Sequence, residues 1–530
     1  IMDITEVFRA GALLAILGPA LLLAFVFVPR AWANRNIERV AQAASAATIV
    51  ALVAALSSAL YLAWAGPTQQ VFSAWGNLQI GVYFDVLAAI IFLLVSFLGA
   101  VVTRYALNYL KGDAEQGHFL KWLCVTVGAV LTLIISGNLV MFTAAWIATS
   151  LGLNKLLTFY SDRPGALVAA RKKFVISRLG DACLIGAIIL TYQVFGTWEF
   201  SALFAQAETM RASGAASTEL SFLCLLLVGG AMLKSAQFPF HSWLPDTMET
   251  PTPVSALMHA GIINAGGFLI VRLSPVVSLS PVALQTLVVV GAVTAIFASL
   301  VMMTQASVKR MLAFSTIAQM GFMMLQCGLG AYSIAVLHIV AHSLYKAHAF
   351  LTSGSVVSIS KASWVPAAKP NAHPGILLSS MTGALVLFAG SAWLWRVSPL
   401  HDLGALVLGA VFVMALAHLL WSLWGQSVSP RLIGMGLLLG GAVSMAYFAL
   451  HAAFKTLLAP SLPHAVAASG GSEWLAGAVV VLFGATLVLQ EQLPLWASRD
   501  WCRTLYVHAR NGFYFNTLAN RAIQAVWPAR

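Results

Sequence analysis

Long apolar stretches recur along this chain, and polar residues collect in the short segments between them. Many stretches run about 20 residues without a charged side chain, which is the length an α-helix needs to cross the roughly 30 Å hydrocarbon layer of a bilayer. Apolar and polar residues do not alternate within them, as they would in the strands of a membrane β-barrel. The pattern therefore predicts an all-α polytopic membrane protein with about 14–15 transmembrane helices.

No cleavable signal peptide is evident before the first apolar stretch, which we expect to remain in place. We expect loops between the spans, among them 66–83, 157–173 and 197–218. The candidate spans lie near 11–28, 41–65, 84–107, 119–136, 137–156, 165–196, 219–238, 252–273, 281–302, 309–329, 330–356, 375–396, 403–425, 433–456 and 473–490.

A broken helix is expected near 238–252. The stretch 225–259 reads "LLLVGGAMLKSAQFPFHSWLPDTMETPTPVSALMH" and holds four prolines. Proline ends or kinks a helix, and irregular backbone at membrane depth is tolerated only where protein or water covers it. Discontinuous helices tend to line the ion path of a transporter. An ordinary loop between two spans is the alternative, and Lys234 just before the break argues against it.

Basic residues mark one side of the predicted bundle. The +12 net charge of the 530-residue chain gathers in loops such as 29–40 and 157–173 and in the tail 491–530, whereas 66–83, 274–280 and 456–472 carry no charged residue. The positive-inside rule places the basic loops and the tail in the cytoplasm, for a chain in the cell inner (plasma) membrane. We expect no nucleic acid partner, because basic loops in a chain with 60% hydrophobic residues usually report orientation.

Few ionisable residues lie inside the spans: Lys234, Lys346 and Asp181 are the clearest, while Asp85 lies near a span edge and is expected to be more easily solvated. A charge at the bilayer centre costs roughly 2.5–3.5 kcal/mol and usually faces a protein interior or a water cavity. Such residues mark ion pathways more often than structural salt bridges.

Histidines extend this set, since histidine titrates near neutral pH. In "IAVLHIVAHSLYKAH" the spacing i, i+4, i+8 puts two histidines and a lysine on one helix face. His348 lies off that face and is a weaker candidate, and mid-span His418 is either a relay group or a core histidine. The predicted proton or cation path is lined by Lys234, Asp181, His259, His338, His342 and Lys346.

Metal and cofactor chemistry is not expected in this chain. No acid or thiol lies near His338 and His342 in sequence to complete a metal site. The five cysteines form no CxxC pair, and no GxGxxG or P-loop motif is present. In the tail, Phe515, Leu518, Ile523 and Val526 share a helix face opposite Asn516, Asn520 and Gln524. That pattern predicts an amphipathic helix for either a membrane surface or a partner protein.

Three stretches carry a family resemblance: "LKSAQFPFHSWLPDTMETPTPVSALMHAG", "KRMLAFSTIAQMGFMM" and "HIVAHSLYKAHAFL". They resemble the large antiporter-like subunits of respiratory complex I and of Mrp-type cation/proton antiporters, from about Asp85 to Phe350. The resemblance implies two inverted five-helix repeats. It matches Lys234 to the lysine of the family's first broken helix, His259 to the histidine of the next helix and Asp181 to the acid of its "RxGD" stretch. His338, His342 and Lys346 match the family's central relay. The implied units are 1–118, the repeats 119–273 and 281–425, the helices 426–490 and the tail 491–530.

Two departures from that family stand out. Ile147 in "AWIATSLGLNKLL" occupies the place of the glutamate that pairs with the broken-helix lysine, and Asp181 is a candidate substitute. The stretch "MTGALVLFAGSAWLWRVSPLHD" lacks the lysine and paired prolines of a second broken helix. Both departures put a complete antiporter-style path in question.

A narrower resemblance covers nearly the whole chain. "WIATSLGLNKLLTFY", "METPTPVSALMHAGIINAGGFLIVR" and "LYVHARNGFYFNTLANRAIQAVWP" are similar to the DabB family, the membrane subunits of an inorganic-carbon accumulation system. The resemblance implies a zinc-containing DabA-type partner resembling a β-carbonic anhydrase. A proton or sodium gradient would then drive one-way conversion of CO2 to bicarbonate in the partner, and this chain would be no enzyme. The alternatives are a complex I or Mrp-type ion pump subunit and a membrane scaffold without ion conduction.

Overall fold

The computed structural model describes residues 4–75, 78–214, 217–354, 374–397, 403–425, 429–463, 472–496 and 498–527. Helices make up nearly all of its regular structure, and strands β1 (Thr68–Trp75) and β2 (Leu78–Phe84) form an antiparallel hairpin. The first eleven helices are α1 Ile4–Leu23, α2 Arg30–Arg35, α3 Ile37–Ala65, α4 Val86–Tyr109, α5 Gln116–Ile135, α6 Leu139–Leu157, α7 Pro164–Phe195, α8 Phe200–Ser213, α9 Thr218–Lys234, α10 Trp243–Asp246 and α11 Thr252–Ala260.

The remaining helices begin with α12, which follows α11 after one short helical turn. They are α12 Ala265–Arg272, α13 Ser274–Val277, α14 Pro281–Met302, α15 Val308–Gly328, α16 Tyr332–Leu351, α17 Pro374–Leu394, α18 Leu403–Trp424, α19 Pro430–Leu458, α20 Ser472–Trp496, α21 Asp500–Arg510 and α22 Phe515–Val526.

Among the described residues, 13 helical segments are long and apolar enough to cross a membrane. Each coincides with a predicted span. The two remaining predicted spans correspond to a shorter apolar helix at Gly11–Phe27 and to α9, which has 17 residues. The prediction of an all-α polytopic membrane fold is therefore confirmed, with one small hairpin added. The division into inverted repeats stays a prediction.

Three expected loops contain regular structure. Segment 66–83 holds most of the hairpin, because its β-branched and aromatic residues suit paired strands. Segment 197–218 holds α8, which buries Phe200, Leu203 and Ala207 on one face. Segment 157–173 ends inside α7, which begins with Pro164 in its first turn, where proline is favoured. Lys172 and Lys173 are consequently buried helix residues, not loop residues.

The expected break in the bundle is present. Helix α9 ends at Lys234, and Ala236 then adopts a positive φ of 50°. Short helical turns and α10 follow, until α11 begins beyond Pro251 with Pro253 in its first turn. Because the chain is irregular from Ser235 to Pro251, the ammonium group of Lys234 lies at the end of a helix deep in the protein.

Glycines bring α14 and α15 into close contact. A Cβ on Gly291 would lie 2.6 Å from the carbonyl oxygen of Gly321, and one on Gly321 would lie 2.6 Å from the Ala295 nitrogen. Small residues at a membrane helix interface permit this approach. This close packing positions α15, whose side chains contact α11 and α16.

Candidate functional site

Lys234 is buried at the end of α9, against Trp146 of α6. Its Nζ donates to the Trp146 carbonyl oxygen at 3.5 Å and lies 4.4 Å from the centre of the Trp146 ring. A carbonyl and a ring face stabilise a cation more weakly than a carboxylate does. Ile147, next in the chain, is a partly buried apolar residue packed on the core. The ammonium group of Lys234 thus makes its direct contacts with a carbonyl oxygen and an aromatic ring, and not with a carboxylate.

Asp181 forms its ion pair with Arg178 one turn earlier on α7, at 2.7 Å. Lys234 lies within electrostatic reach of this pair, as does Lys173. Lys173 is buried and donates to the carbonyl and hydroxyl oxygens of Ser150 at 2.7 and 2.9 Å. Three cations therefore share one carboxylate, an arrangement in which the position of each positive charge depends on the others.

His338, His342 and Lys346 lie in a column on α16, as their spacing predicts. The imidazole centres of His338 and His342 are 5.9 Å apart. Lys346 is almost fully buried, and its Nζ donates to the Leu312 carbonyl oxygen of α15 at 3.3 Å. Helix α16 thus carries three titratable groups inward against α15.

His259 of α11 joins this column from the side of the broken segment. It is fully buried, stacks on Phe350 at 4.3 Å, and lies within electrostatic reach of His342 and Lys346. Its Nδ1 lies 3.1 Å from the hydroxyl oxygen of Thr316. The structure therefore brings together four predicted path residues from two helices.

The Thr316 hydroxyl determines how His259 is protonated. It donates its single proton to the Leu312 carbonyl oxygen at 2.9 Å, so toward His259 it can only accept. His259 therefore carries a proton on Nδ1, and its Nε2 is the lone-pair nitrogen of the neutral ring. Nε2 is buried and has no hydrogen-bond partner among the described residues.

His338 follows the same pattern. Its Nδ1 lies 2.9 Å from the amide oxygen of Gln326, an acceptor, so this nitrogen also donates. Within the described ranges, the Nε2 atoms of His338 and His342 are buried without a hydrogen-bond partner. Three imidazole nitrogens that can accept a proton thus face the interior of one helix cluster.

The two clusters are connected through the broken segment. The hydroxyl of Ser235, next to Lys234, donates to the Ile263 carbonyl oxygen at 2.6 Å. One turn from His259, Asn264 donates to the Ser343 hydroxyl oxygen of α16 at 2.8 Å. These two hydrogen bonds form a continuous path of contacts from the α9 break to α16, which carries the histidine column.

A buried ion pair anchors the C-terminal end of α12. Arg272 donates to both carboxylate oxygens of Asp85 at 2.8 and 2.9 Å, and both side chains are almost fully buried. Asp85 also caps α4 by accepting from the Ala88 N–H. The expectation that Asp85 is easily solvated is wrong, because its carboxylate is buried against Arg272, whose guanidinium lies over the ring of Tyr83 in the hairpin.

Two weaker candidates lie away from the cluster. His348 is exposed on α16, as expected of a residue off the column. His418 is partly buried on α18 and packs on Trp421, so it belongs to a different set of helices. In the part of the chain that the structure describes, no three His, Cys, Asp or Glu side chains come together as metal ligands.

The tail packs against its own chain at the basic side of the break. Lys172 pairs with Asp246 of α10 at 2.6 Å, and Asn516 of α22 bridges them by accepting from Lys172 and donating to Asp246. Phe515 packs on Phe238 and on His241. The predicted docking face is therefore divided, because Phe515 is engaged within the chain.

The rest of that face remains outward. Leu518 is 61% exposed and Val526 is 83% exposed, whereas Ile523 is partly buried. The polar face of α22 lines a cavity of about 850 Å³ over the broken segment, through Asn516, Asn520 and Gln524. The amphipathic helix thus turns its polar side toward the protein and much of its apolar side away from it.

Sequence reasoning missed several residues of the site. Lys173 and Arg178 were hidden in a basic stretch, although Pro164 signals the helix start that buries Lys173. Thr316 and Gln326 are neutral, and their polar groups inside an apolar span were the available signal. Only the packing of α15 on α11 and α16 assigns their partners.

Comparisons with known proteins agree with this architecture. The family described as "NADH:quinone oxidoreductase/Mrp antiporter, TM" matches residues 136–365. The N-terminal family of complex I chain 5 matches residues 73–120. The match to the first family contains both clusters of the site.

Curated relatives include inorganic carbon transporter subunits. The probable subunit DabB of Hydrogenovibrio crunogenus is 37% identical over 87% of this chain and 86% of its own length. The probable subunit DabB2 of Halothiobacillus neapolitanus is 35% identical over 98% of this chain and 95% of its own. NADH-quinone oxidoreductase subunit L of Mycobacterium tuberculosis is 39% identical, over 54% of this chain and 46% of its own length.

Two solved structures share the fold. The Mrp complex from Dietzia sp. DQ12-45-1b superposes with a TM-score of 0.64 at 22% identity, covering 99% of this chain and 59% of that chain. The membrane-bound sulfane sulfur reductase, an archaeal respiratory membrane complex, gives a TM-score of 0.59 at 18% identity, covering 96% and 99%. These likenesses establish the architecture alone.

Proposed function

Because this chain belongs to the DabB family of inorganic carbon transporter subunits, we propose that it conducts protons or sodium ions to energise the accumulation of CO2 as bicarbonate by a partner subunit. The chain is an ion-translocating, multi-pass membrane subunit and not an enzyme. The proposed partner is a DabA-type subunit whose zinc performs the carbonic-anhydrase-like chemistry.

One observation carries the proposal: two connected clusters of buried titratable groups lie on either side of a broken helix. Five of the six predicted path residues are buried and His338 is partly buried, and titratable groups inside membrane spans mark ion pathways by default. The interior nitrogens of His259, His338 and His342 can each accept a proton, and Lys346 and Lys234 can each release one. Alternation of charge between neighbours would move a proton along the column.

The departures at the clusters favour coupling to a partner over independent pumping. Lys234 contacts a carbonyl and a ring where an antiporter-like pump would supply a glutamate. Helix α17 ends at Leu394 and Arg396 then adopts a positive φ of 51°, as Ala236 does after Lys234, but the stretch around this helix end lacks the lysine and paired prolines of such a pump. We propose that a partner at the basic, cytoplasmic side receives the current.

The test is bicarbonate uptake in cells that lack other carbon transporters and express this chain with its neighbouring gene product. Uptake of 14C-bicarbonate should require both proteins and should vanish with a proton uncoupler or, for sodium coupling, with a sodium ionophore. Uptake that persists with both ionophores present would contradict ion coupling. Co-purification of a zinc-containing partner supports the DabA assignment, whereas co-purification of complex I or Mrp subunits contradicts it.

A further inference from the structure

An apolar cavity separates α21 from the ends of two membrane helices. Its volume is about 450 Å³. Leu300 of α14 and Leu489 and Leu493 of α20 line one side, and Cys502 and Leu505 of α21 line the other. Helix α21 therefore faces the bundle across a space of ligand size and does not pack directly on α20 along this face.

Helix α21 carries a basic edge beside this cavity. Arg503 and Arg510 are seven residues apart and so share a helix face, and Arg499 directly precedes the helix. Arg503 itself lines the cavity. Its nearest carboxylate, Asp500, lies 4.0 Å away with both side chains mostly exposed, so this pair leaves the guanidinium available.

The cavity lies at the level of a membrane surface. Helices α14 and α20 end there, and Trp496 packs on Trp501 at 5.5 Å between α20 and α21. Tryptophan pairs of this kind belong at the boundary between hydrocarbon and head groups. An amphipathic helix with arginines beside its apolar face lies along that boundary.

We propose that this cavity is a binding site for an anionic phospholipid, with an acyl chain between α20 and α21 and the phosphate on Arg503 and its neighbouring arginines. An apolar cavity with one charged group at its rim has the composition of a ligand site. Arginine binds phosphate through two parallel hydrogen bonds, and basic clusters next to membrane helices recognise anionic head groups. The inference does not depend on the proposed function.

Native mass spectrometry of the full chain in neutral detergent tests the head-group preference. Phosphatidylglycerol should bind several-fold more tightly than phosphatidylcholine. Arg503→Gln should weaken phosphatidylglycerol binding about fivefold, the effect of one basic side chain near an anionic surface, and leave phosphatidylcholine unchanged. The matched control Arg521→Gln, on exposed α22, should change neither. Equal binding of the two lipids, or an unchanged Arg503→Gln variant, overturns the proposal.

Photo-cross-linking locates the acyl chain without relying on a variant's folding. Phosphatidylglycerol with a diazirine on its acyl chain should label residues 300–303 and 502–509, and excess unlabelled phosphatidylglycerol should suppress that labelling. Ala509→Phe fills the cavity and should abolish the labelling while the purified chain keeps its melting temperature. Labelling confined to other helices, or undiminished in a folded Ala509→Phe variant, places the lipid elsewhere and refutes the site.

Discussion

The hydroxyl of Thr316 lies 3.1 Å from Nδ1 of His259 and donates its own proton to the Leu312 carbonyl oxygen, which also accepts from Lys346. A residue that never titrates thus fixes which nitrogen of His259 is basic. The Leu312 carbonyl accepts from both Thr316 and Lys346, so the Thr316 hydroxyl links His259 to Lys346. Proton transfer through this cluster depends on α15 as much as on the titratable residues.

Replacing Thr316 with valine should allow His259 to adopt either neutral tautomer, whereas Thr316→Ser should keep the proton on Nδ1. Losing a hydrogen bond of about 1 kcal/mol allows both ring forms, and we expect ion flux in proteoliposomes with the partner to fall roughly fivefold. The 15N spectrum of histidine-labelled protein reports the ring form directly. Thr286→Val, which removes a similar bond to Val282 on α14, is the control. An unchanged His259 signal in Thr316→Val refutes the assignment.

Lys346→Ala and Lys234→Ala should each abolish bicarbonate accumulation and leave assembly intact. Each change removes the buried group that accepts and releases the ion, while the neighbouring helices keep their packing. Uptake of 14C-bicarbonate and co-purification of the partner are the two measurements. Lys455→Ala, at an exposed position of α19, should behave as wild type. Normal uptake in both buried variants would rule out the relay.

Asp85→Asn should strongly destabilise the fold, because it leaves the Arg272 guanidinium buried without its counter-charge. Breaking a buried pair on one side costs about 3–5 kcal/mol. Glu115→Gln breaks the exposed pair with Arg30 and should cost at most about 1 kcal/mol. Thermal unfolding in detergent distinguishes the two. Equal melting temperatures would show that Asp85 and Arg272 are hydrated in the membrane.

The outward face of α22 should bind the partner, while its inward face holds the tail in place. Leu518→Glu with Val526→Glu should release the partner without exposing the tail to protease. Phe515→Ala should instead increase cleavage of the tail, since that ring packs on Phe238 and His241. Deletion of 503–530 removes both faces of α22 and should release the partner. Stoichiometric co-purification of the partner with the deletion variant would exclude docking at α22.

Apolar periodicity predicted the bundle and its break well, because span length and proline position are local properties. It also predicted the α16 column, since i, i+4 spacing fixes a helix face. The partners of those residues depend on contacts between distant helices. Asp181 illustrates the limit: its chemistry suited Lys234, but Arg178, three residues before it, forms the ion pair.

Short segments between spans were the other source of error. The hairpin at Thr68–Phe84 and the helix α8 read as loops because neither is long enough to span a membrane. The hairpin matters for the site, since it shields the Asp85–Arg272 pair. The tail was recognised as amphipathic from its spacing, but hydrophobicity alone could not show that its polar face turns inward.

The bridge from Asn516 to Lys172 and Asp246 has a consequence for biogenesis. These side chains are 344 and 270 residues apart in the chain, and α22 is synthesised after every span that the structure describes. The basic-side end of the broken segment therefore gains its third partner only once the whole bundle has been inserted. A truncated chain without α22 would leave Lys172 and Asp246 without this bridge, so the end of the broken segment reaches its final packing last in biosynthesis.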